Sequence, residues 1–564
     1  MKQESRFLLA ISLMILVLVG TNILFPPIPP EELVVPGTGA DSSVLTPSGG
    51  TATPPVQIPA APEVLSPTLV DETAAEVTVE AQDVVVEGPL YRFTFSTRGA
   101  NLRSAVLTSF VSFADENGSV ELIAPGSTAL GSRIQVDENV LDLTEQPYEA
   151  LPRDGLVLRE GGGPQTLTFT YRHPTTPFVL ATTYTFDPDS YVVNVSTRIE
   201  GVDADLLLTD LGTGIPYNEG RIQDESRVMA YVVNHLQDGI SAELLSKVDE
   251  PAIEQGPFIW AAMKSKYFVI AMLPGTDAET TDHLGGLIVQ PVPADDQAYV
   301  AVTQPVGPSG VVDHRLVLGP QERTLLTSFD NRLEDVNPYG WRWMRPMVRP
   351  FVGIVLGILN YLHDRLNVGY GWVLILFGVM MRVLLFPLNQ KAMRSQMKNM
   401  AVQPLLQEIQ AKYKDQPEKL QKEMMKLYKV HGFNPLAGCL PMLLPWPILI
   451  TLFFVFQNTI ELRGEAFLWL PNLSAADPLY ILPVVLGLSM FLMQWITVRS
   501  METPNPQMKM MMWMMPGMMM FIFLNLASGL NLYYATANLT TLPQQYWIAK
   551  ERQKIQAAQR PIKS

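Results

Sequence analysis

The run from Trp372 to Leu388 is almost unbroken apolar sequence and holds a single charge, Arg382. As a helix rising about 1.5 Å per residue, it is long enough to cross most of a bilayer's hydrocarbon core. Hydrocarbon satisfies no backbone N–H or C=O, so a segment that crosses it must pair those groups within itself. An arginine there costs at least about 2.5–3.5 kcal/mol on insertion scales. Two readings of Arg382 stand at this point. Charged side chains in spans usually face a protein interior or a water-filled cavity and mark function. Alternatively the side chain snorkels, because Leu388 is only about 9 Å further along the helix.

Other apolar runs repeat the pattern. Residues 436–460, 479–498, 508–526 and 528–547 are each about span length. So is the opening run, Phe7–Phe25, which follows Lys2 and Arg6 and lacks a small-x-small cleavage site, so an uncleaved anchor over residues 1–25 is expected. Pro441, Pro445 and Pro447 exclude a regular helix from the first half of the third span. The last span carries Asn531, Tyr533, Tyr534, Thr536, Asn538, Thr540 and Thr541, too polar to face lipid on every side. Residues 391–432 are rich in lysine and predict a cytoplasmic hairpin of two helices turning at residues 415–417, with Pro404 kinking the first. The tail, residues 548–564, is also basic. These charges predict six spans with both termini in the cytoplasm and a short outer loop at residues 461–478. Residues 337–365 predict an amphipathic helix in the outer interface. Its Arg342, Arg345 and Arg349 sit awkwardly, since this topology puts them outside.

Before the second span the sequence has a different character. Residues 26–82 are rich in Pro, Thr, Val and acidic residues without a sustained period, and read as a disordered tether. From residue 83 to 335 the period becomes two, as in Leu90-Tyr-Arg-Phe-Thr-Phe-Ser96, and Gly, Pro, Asp and Asn clusters separate the runs. That pattern predicts an antiparallel β-sandwich. The net charge of −15 is collected in this part, while the basic residues lie between later spans, with no basic aromatic motif for nucleic acid. The single cysteine, Cys439, excludes internal disulfides. His173, His235, His283 and His314 show no metal-ligand spacing. No phosphate-binding glycine loop is present, and no catalytic residue, metal or cofactor is expected.

The second half resembles the YidC family of membrane-protein insertases. The shared residues are Arg382 with Phe386-Pro387-Leu388, Gln403-Pro404, Ile409-Gln-Ala-Lys-Tyr413, Lys426-Leu-Tyr428 and Asn434-Pro-Leu-Ala-Gly-Cys439-Leu-Pro441. Further on come Asp477-Pro-Leu-Tyr-Ile-Leu-Pro483 and Ser528-Gly-Leu-Asn-Leu-Tyr-Tyr534. Thr97-Arg-Gly-Ala100 and Trp260-Ala-Ala-Met-Lys-Ser-Lys-Tyr-Phe268 resemble the periplasmic domain of its Gram-negative members. The resemblance implies a bacterial inner-membrane protein with an all-β periplasmic sandwich, an α-helical polytopic core and a cytoplasmic helical hairpin. It implies a hydrophilic groove open to cytoplasm and lipid and closed outside. Arg382, Asn531, Tyr533, Tyr534 and Asn538 are its candidate lining. Leu449, Phe453, Phe456, Met511, Met514 and Met518 are candidates for a surface along which apolar substrate segments slide. A methionine-rich surface repacks against unrelated partners, which such a surface requires. Implied partners are nascent inner-membrane proteins and the lipid bilayer, with a Sec-type translocon, the ribosome or signal-recognition machinery alongside. One departure stands out: relatives often carry a hydroxyl residue four positions before the arginine, where this chain has Gly378.

Two other functions compete. A solute transporter or channel is disfavoured by the lack of an internal repeat and by only one clear intramembrane charge. A membrane-anchored periplasmic carbohydrate-binding protein is disfavoured because the membrane half is far more elaborate than an anchor needs.

Overall fold

The computed structural model describes residues 81–115, 118–275, 283–292, 297–329, 331–340, 344–401, 409, 412–413, 416–430, 446–500 and 506–559. The expected first span, nearly all of the tether, Pro404 with its expected kink, Asp415 of the hairpin turn, the first part of the third span and Arg342 lie outside them.

Strict alternation builds the β-domain. In the strand Tyr91–Ser96, Tyr91, Phe93 and Phe95 point inward and are fully buried, while Arg92 points out. In Val179–Phe186 the inward set is Leu180, Thr182, Tyr184 and Phe186. The first strand belongs to a five-stranded sheet and the second to a fourteen-stranded one. The two sheets meet through aromatic rings, with Phe95 5.6 Å from Phe169 and Phe93 6.2 Å from Phe186. The result is a large β-sandwich. Its pairing is not wholly antiparallel as expected, because Asp83–Glu87 runs parallel to the two-residue strand Leu156–Val157. Gly155 permits this approach: its φ is +79°, and a Cβ there would lie 2.0 Å from the Val85 carbonyl oxygen.

The back of the larger sheet carries a second core. Trp260 is fully buried there and its Nε1 donates to the Asn331 carbonyl at 3.0 Å. Leu326, Leu333 and Val336 cover it, so the segment leaving the β-domain is packed against the sheet it leaves.

Seven longer helices follow among the described residues. They are α1 (Arg345–Leu366), α2 (Tyr370–Ala401), α3 (Pro417–Val430), α4 (Trp446–Asn458), α5 (Ile481–Arg499), α6 (Pro506–Phe523) and α7 (Ser528–Gln559). Within α1, Val348, Val352, Val355, Leu356 and Leu359 are buried and Ile354 and Tyr361 are exposed. Arg349, awkward in the sequence, pairs with Asp335 at 3.0 Å and Glu334 at 3.7 Å, both on the 3₁₀ turn Leu333–Val336. The β-domain thus supplies the counter-charge that the loop rule does not foresee. α2 does not stop at residue 390 but runs on to Ala401, since no Gly or Pro intervenes before Pro404. α7 likewise continues past residue 547 to Gln559 for want of a breaker. Among the described residues, Tyr370–Pro387 and Ile481–Arg499 are long and apolar enough to cross a membrane, and Ile448–Asn458 and Lys509–Phe523 are shorter apolar helices.

His314 is an exception in the sandwich core. It is buried on the central strand Val311–Pro320, and neither ring nitrogen has a hydrogen-bond partner among the described residues. Burial pushes its pKa down to about 3. Below about pH 6.5 the unfolded chain therefore takes up a proton that the folded domain refuses, and stability falls as pH falls. The β-domain of the full-length protein should lose thermal stability from pH 7 to 5, and His314→Leu should flatten that loss while raising the midpoint at pH 7. Melting followed by near-ultraviolet circular dichroism checks this, and equal pH slopes in the two proteins would refute it.

Candidate functional site

The polar stripe of α7 organises the site. α7 runs beside α2 in the same direction, so that Phe377 meets Tyr533 at 5.8 Å and Gly378 meets Thr536. A Cβ on Gly378 would lie 3.3 Å from Thr536 Cγ2, tighter than ordinary contact. The glycine that departs from the family pattern thus lets the two helices approach closely. Tyr533 is buried between Phe377 and Phe456, the latter 5.5 Å away. Tyr534 lies 5.3 Å from Tyr533 and 5.5 Å from Phe523 on α6. Its hydroxyl donates to the Leu449 carbonyl on α4 at 3.3 Å, so this one side chain bridges three helices.

Arg382 on α2 is half-buried. The titratable groups acting on it are Tyr533 and Tyr534, and no carboxylate among the described residues. Asn531 is fully buried at the start of α7; its Nδ2 donates to the Phe523 carbonyl at 3.0 Å while its Oδ1 has no partner among the described residues. Asn538 is buried further along. Thr540 and Thr541 return their hydroxyl protons to their own helix, at Thr536 O (2.7 Å) and Ala537 O (2.6 Å). No group of His, Cys, Asp or Glu among the described residues is arranged to hold a metal ion.

The other six candidates split by burial. Met511 and Met518 are exposed, Met514, Leu449 and Phe453 are half-buried, and Phe456 is fully buried. α6 leans on α5, with Gly487 against Met520, Phe491 4.6 Å from Trp513, and Gln494 Nε2 3.3 Å from Met515 Sδ.

On the side where α4 ends and α7 begins, loops knit the helices together. Asp477 is fully buried and accepts from Trp469 Nε1 (3.2 Å), Leu479 N (3.0 Å) and Leu482 N (2.7 Å), which seats the start of α5. Asn472 Oδ1 accepts from Gly464 N and Ser474 N, and its carbonyl accepts from Ser528 Oγ at 3.0 Å. Gly529 N donates to Leu473 O at 2.8 Å, joining the same loop to α7.

One residue of that loop was not singled out in the sequence. Arg463 is buried in the β-domain, its Nε 2.6 Å from Glu219 Oε1. Its Nη2 donates to the carbonyls of Val111 (2.9 Å) and Asn218 (3.3 Å), and the rings of Phe113 and Phe268 lie 4.6 and 5.1 Å from its Cζ. Behind this pair, Glu225 accepts from the backbone N–H groups of Asn218 and Glu219. Burial and the neighbouring Glu219 push its carboxyl up to about 7. The only signal in the sequence was a lone arginine in a mostly apolar loop.

The family described as 60Kd inner membrane protein matches residues 361–556, and the YidC periplasmic domain matches residues 83–352. The Membrane protein insertase YidC of Chlorobaculum parvum is 30% identical over 554 residues, covering 93% of this chain and 89% of that protein. The protein of the same name from Syntrophus aciditrophicus is 29% identical over 527 residues, covering 93% and 92%. A crystal structure of an active YidC insertase with its first transmembrane domain resolved covers 82% of this chain and 92% of that chain, at 18% identity and a TM-score of 0.34. On the identity shared along nearly the whole length of its relatives, the chain belongs to the YidC family of membrane-protein insertases.

Proposed function

We propose that this protein is an inner-membrane insertase and chaperone for nascent membrane proteins, and not an enzyme. The observation that carries the reading is Arg382, a half-buried guanidinium in an apolar helix beside two tyrosines, with no carboxylate among the described residues acting on it. A paired arginine would be a structural element. One that lacks an acidic partner is available to a substrate. Polar ends of a nascent protein enter a groove enclosed by the helical core, where Arg382, Asn531, Tyr533, Tyr534 and Asn538 replace part of their hydration. The knitted loops close the opposite end, so the polar end is received in the membrane without an open pore. Apolar segments leave sideways between α4 and α6, along Leu449, Phe453, Met511, Met514 and Met518, with Phe456 backing Tyr533 from inside. No covalent bond forms, and the protein acts by lowering the barrier to placing polar groups in hydrocarbon.

The same reading puts six spans in the membrane, at residues 1–25, 370–390, 436–460, 479–498, 508–526 and 528–547, with both termini in the cytoplasm and the β-domain in the periplasm. Residues 391–432 form the cytoplasmic hairpin, and α1 lies along the outer interface with Ile354 and Tyr361 toward lipid. It works alone or beside a Sec-type translocon, the ribosome or signal-recognition machinery.

Arg382→Ala should slow insertion of substrates with acidic exported ends several-fold, and Arg382→Lys should largely preserve it, in an assay in cells depleted of the wild-type protein. Equal insertion by wild type and Arg382→Ala across several such substrates would sink the role of the charge. Photo-crosslinkers placed singly at Met511, Met514, Met518, Leu449 and Phe453 should capture a stalled nascent membrane protein, whereas one at Met515, turned toward α5, should not. Lipid adducts alone at all five positions would refute the lateral path.

A further inference from the structure

The third span is tied to the β-domain by more than its chain connection. Just past the end of α4, Ile460 is buried within the main core of the β-sandwich, while Leu462, two residues on, is buried in the helical core. Arg463 then re-enters the β-domain, where an acid, two carbonyls and the rings of Phe113, Tyr267 and Phe268 surround its guanidinium. Its partner Glu219 is 244 residues away in the chain. Glu225 holds the backbone of Asn218 and Glu219, so the carboxylate and the carbonyl that receive Arg463 are themselves fixed. A buried pair of this kind adds little net stability but is badly broken by removing one partner, which leaves the other charge stranded. It therefore favours one docked position over a range of loose ones.

We propose that Arg463 is a positioning residue for insertion: it locks the β-domain onto the outer end of α4 and so holds the flank along which apolar substrate segments leave. This rests on the insertase reading above. It gives the β-domain a mechanical part in the reaction although it contains no substrate-binding group of its own in that reading.

The test uses the full chain in liposomes. Nitroxide labels on Val157 of the β-domain and Leu479 of the outer loop, both exposed, report the distance between the two parts by pulsed electron resonance. The same preparations are assayed for insertion of a small membrane protein. Arg463→Gln should broaden the distance distribution and slow insertion several-fold, and Arg463→Lys should fall between it and wild type. Glu219→Gln, which reaches the contact from the other side, should act alike, and the double variant should be no worse than the poorer single one. An unchanged distribution in Arg463→Gln would overturn the proposal. So would a broadened one with insertion at the wild-type rate, or a full additional loss in the double variant. Wild-type liposomes that insert nothing would instead sink the insertase reading, and with it any role of the contact in insertion.

Discussion

Hydrocarbon offers no hydrogen bonds, and the helical half of this protein is arranged around that demand. Thr540 and Thr541 close their hydroxyls on their own helix, and Tyr534 spends its proton on a carbonyl of α4. Asn531 donates from its amide to the last carbonyl of α6. With these donors paired, α7 can carry many polar residues and still pack among apolar helices. Arg382 stands apart, with no carboxylate among the described residues acting on it. A guanidinium presents five donors in a fixed fork and cannot be neutralised at any physiological pH. Two tyrosines lie close enough to act on it, and neither carries a charge that would balance it.

The β-domain solves a different problem. It folds without disulfides, so its stability rests on burial, and the aromatic rings between the two sheets supply much of the apolar area. Its core and the helical core are separate clusters of buried side chains, and Ile460 is the helical half's contribution to the former. Between them run charged contacts: Arg349 with Asp335 and Glu334, and Arg463 with Glu219. Ion pairs specify geometry well and add stability poorly, which suits a junction that must hold a position more than it must resist unfolding.

Several family motifs acquire a physical account here. Asp477 ties Trp469, Leu479 and the first turn of α5 to one carboxylate, which explains an acid in an otherwise apolar stretch. Trp260 anchors the segment that leaves the β-domain for the membrane. Gly378, where relatives often have a hydroxyl, sits where α2 and α7 touch, so a side chain there would meet Thr536 rather than open space.

Much was legible in the residues alone. Period-two alternation fixed the inward faces of the β-strands, since successive side chains on a strand must point to opposite sides. Apolar run length and the lone arginine announced membrane helices and a candidate site, because both follow from the solvent and need no knowledge of neighbours. Helix ends were read less well: α2 and α7 outlast the apolar runs that revealed them, as a helix stops at a breaker and not where its hydropathy changes. What only the tertiary structure decided was pairing. Phe453 and Phe456 look alike in sequence, yet the first is half-buried and the second lies wholly beneath Tyr533. Nothing local to Arg463 names Glu219, and nothing local to Arg349 names Asp335. A charge next to an apolar run reads the same whether it ends in water or in a buried carboxylate, and the difference lies in residues that only folding brings alongside.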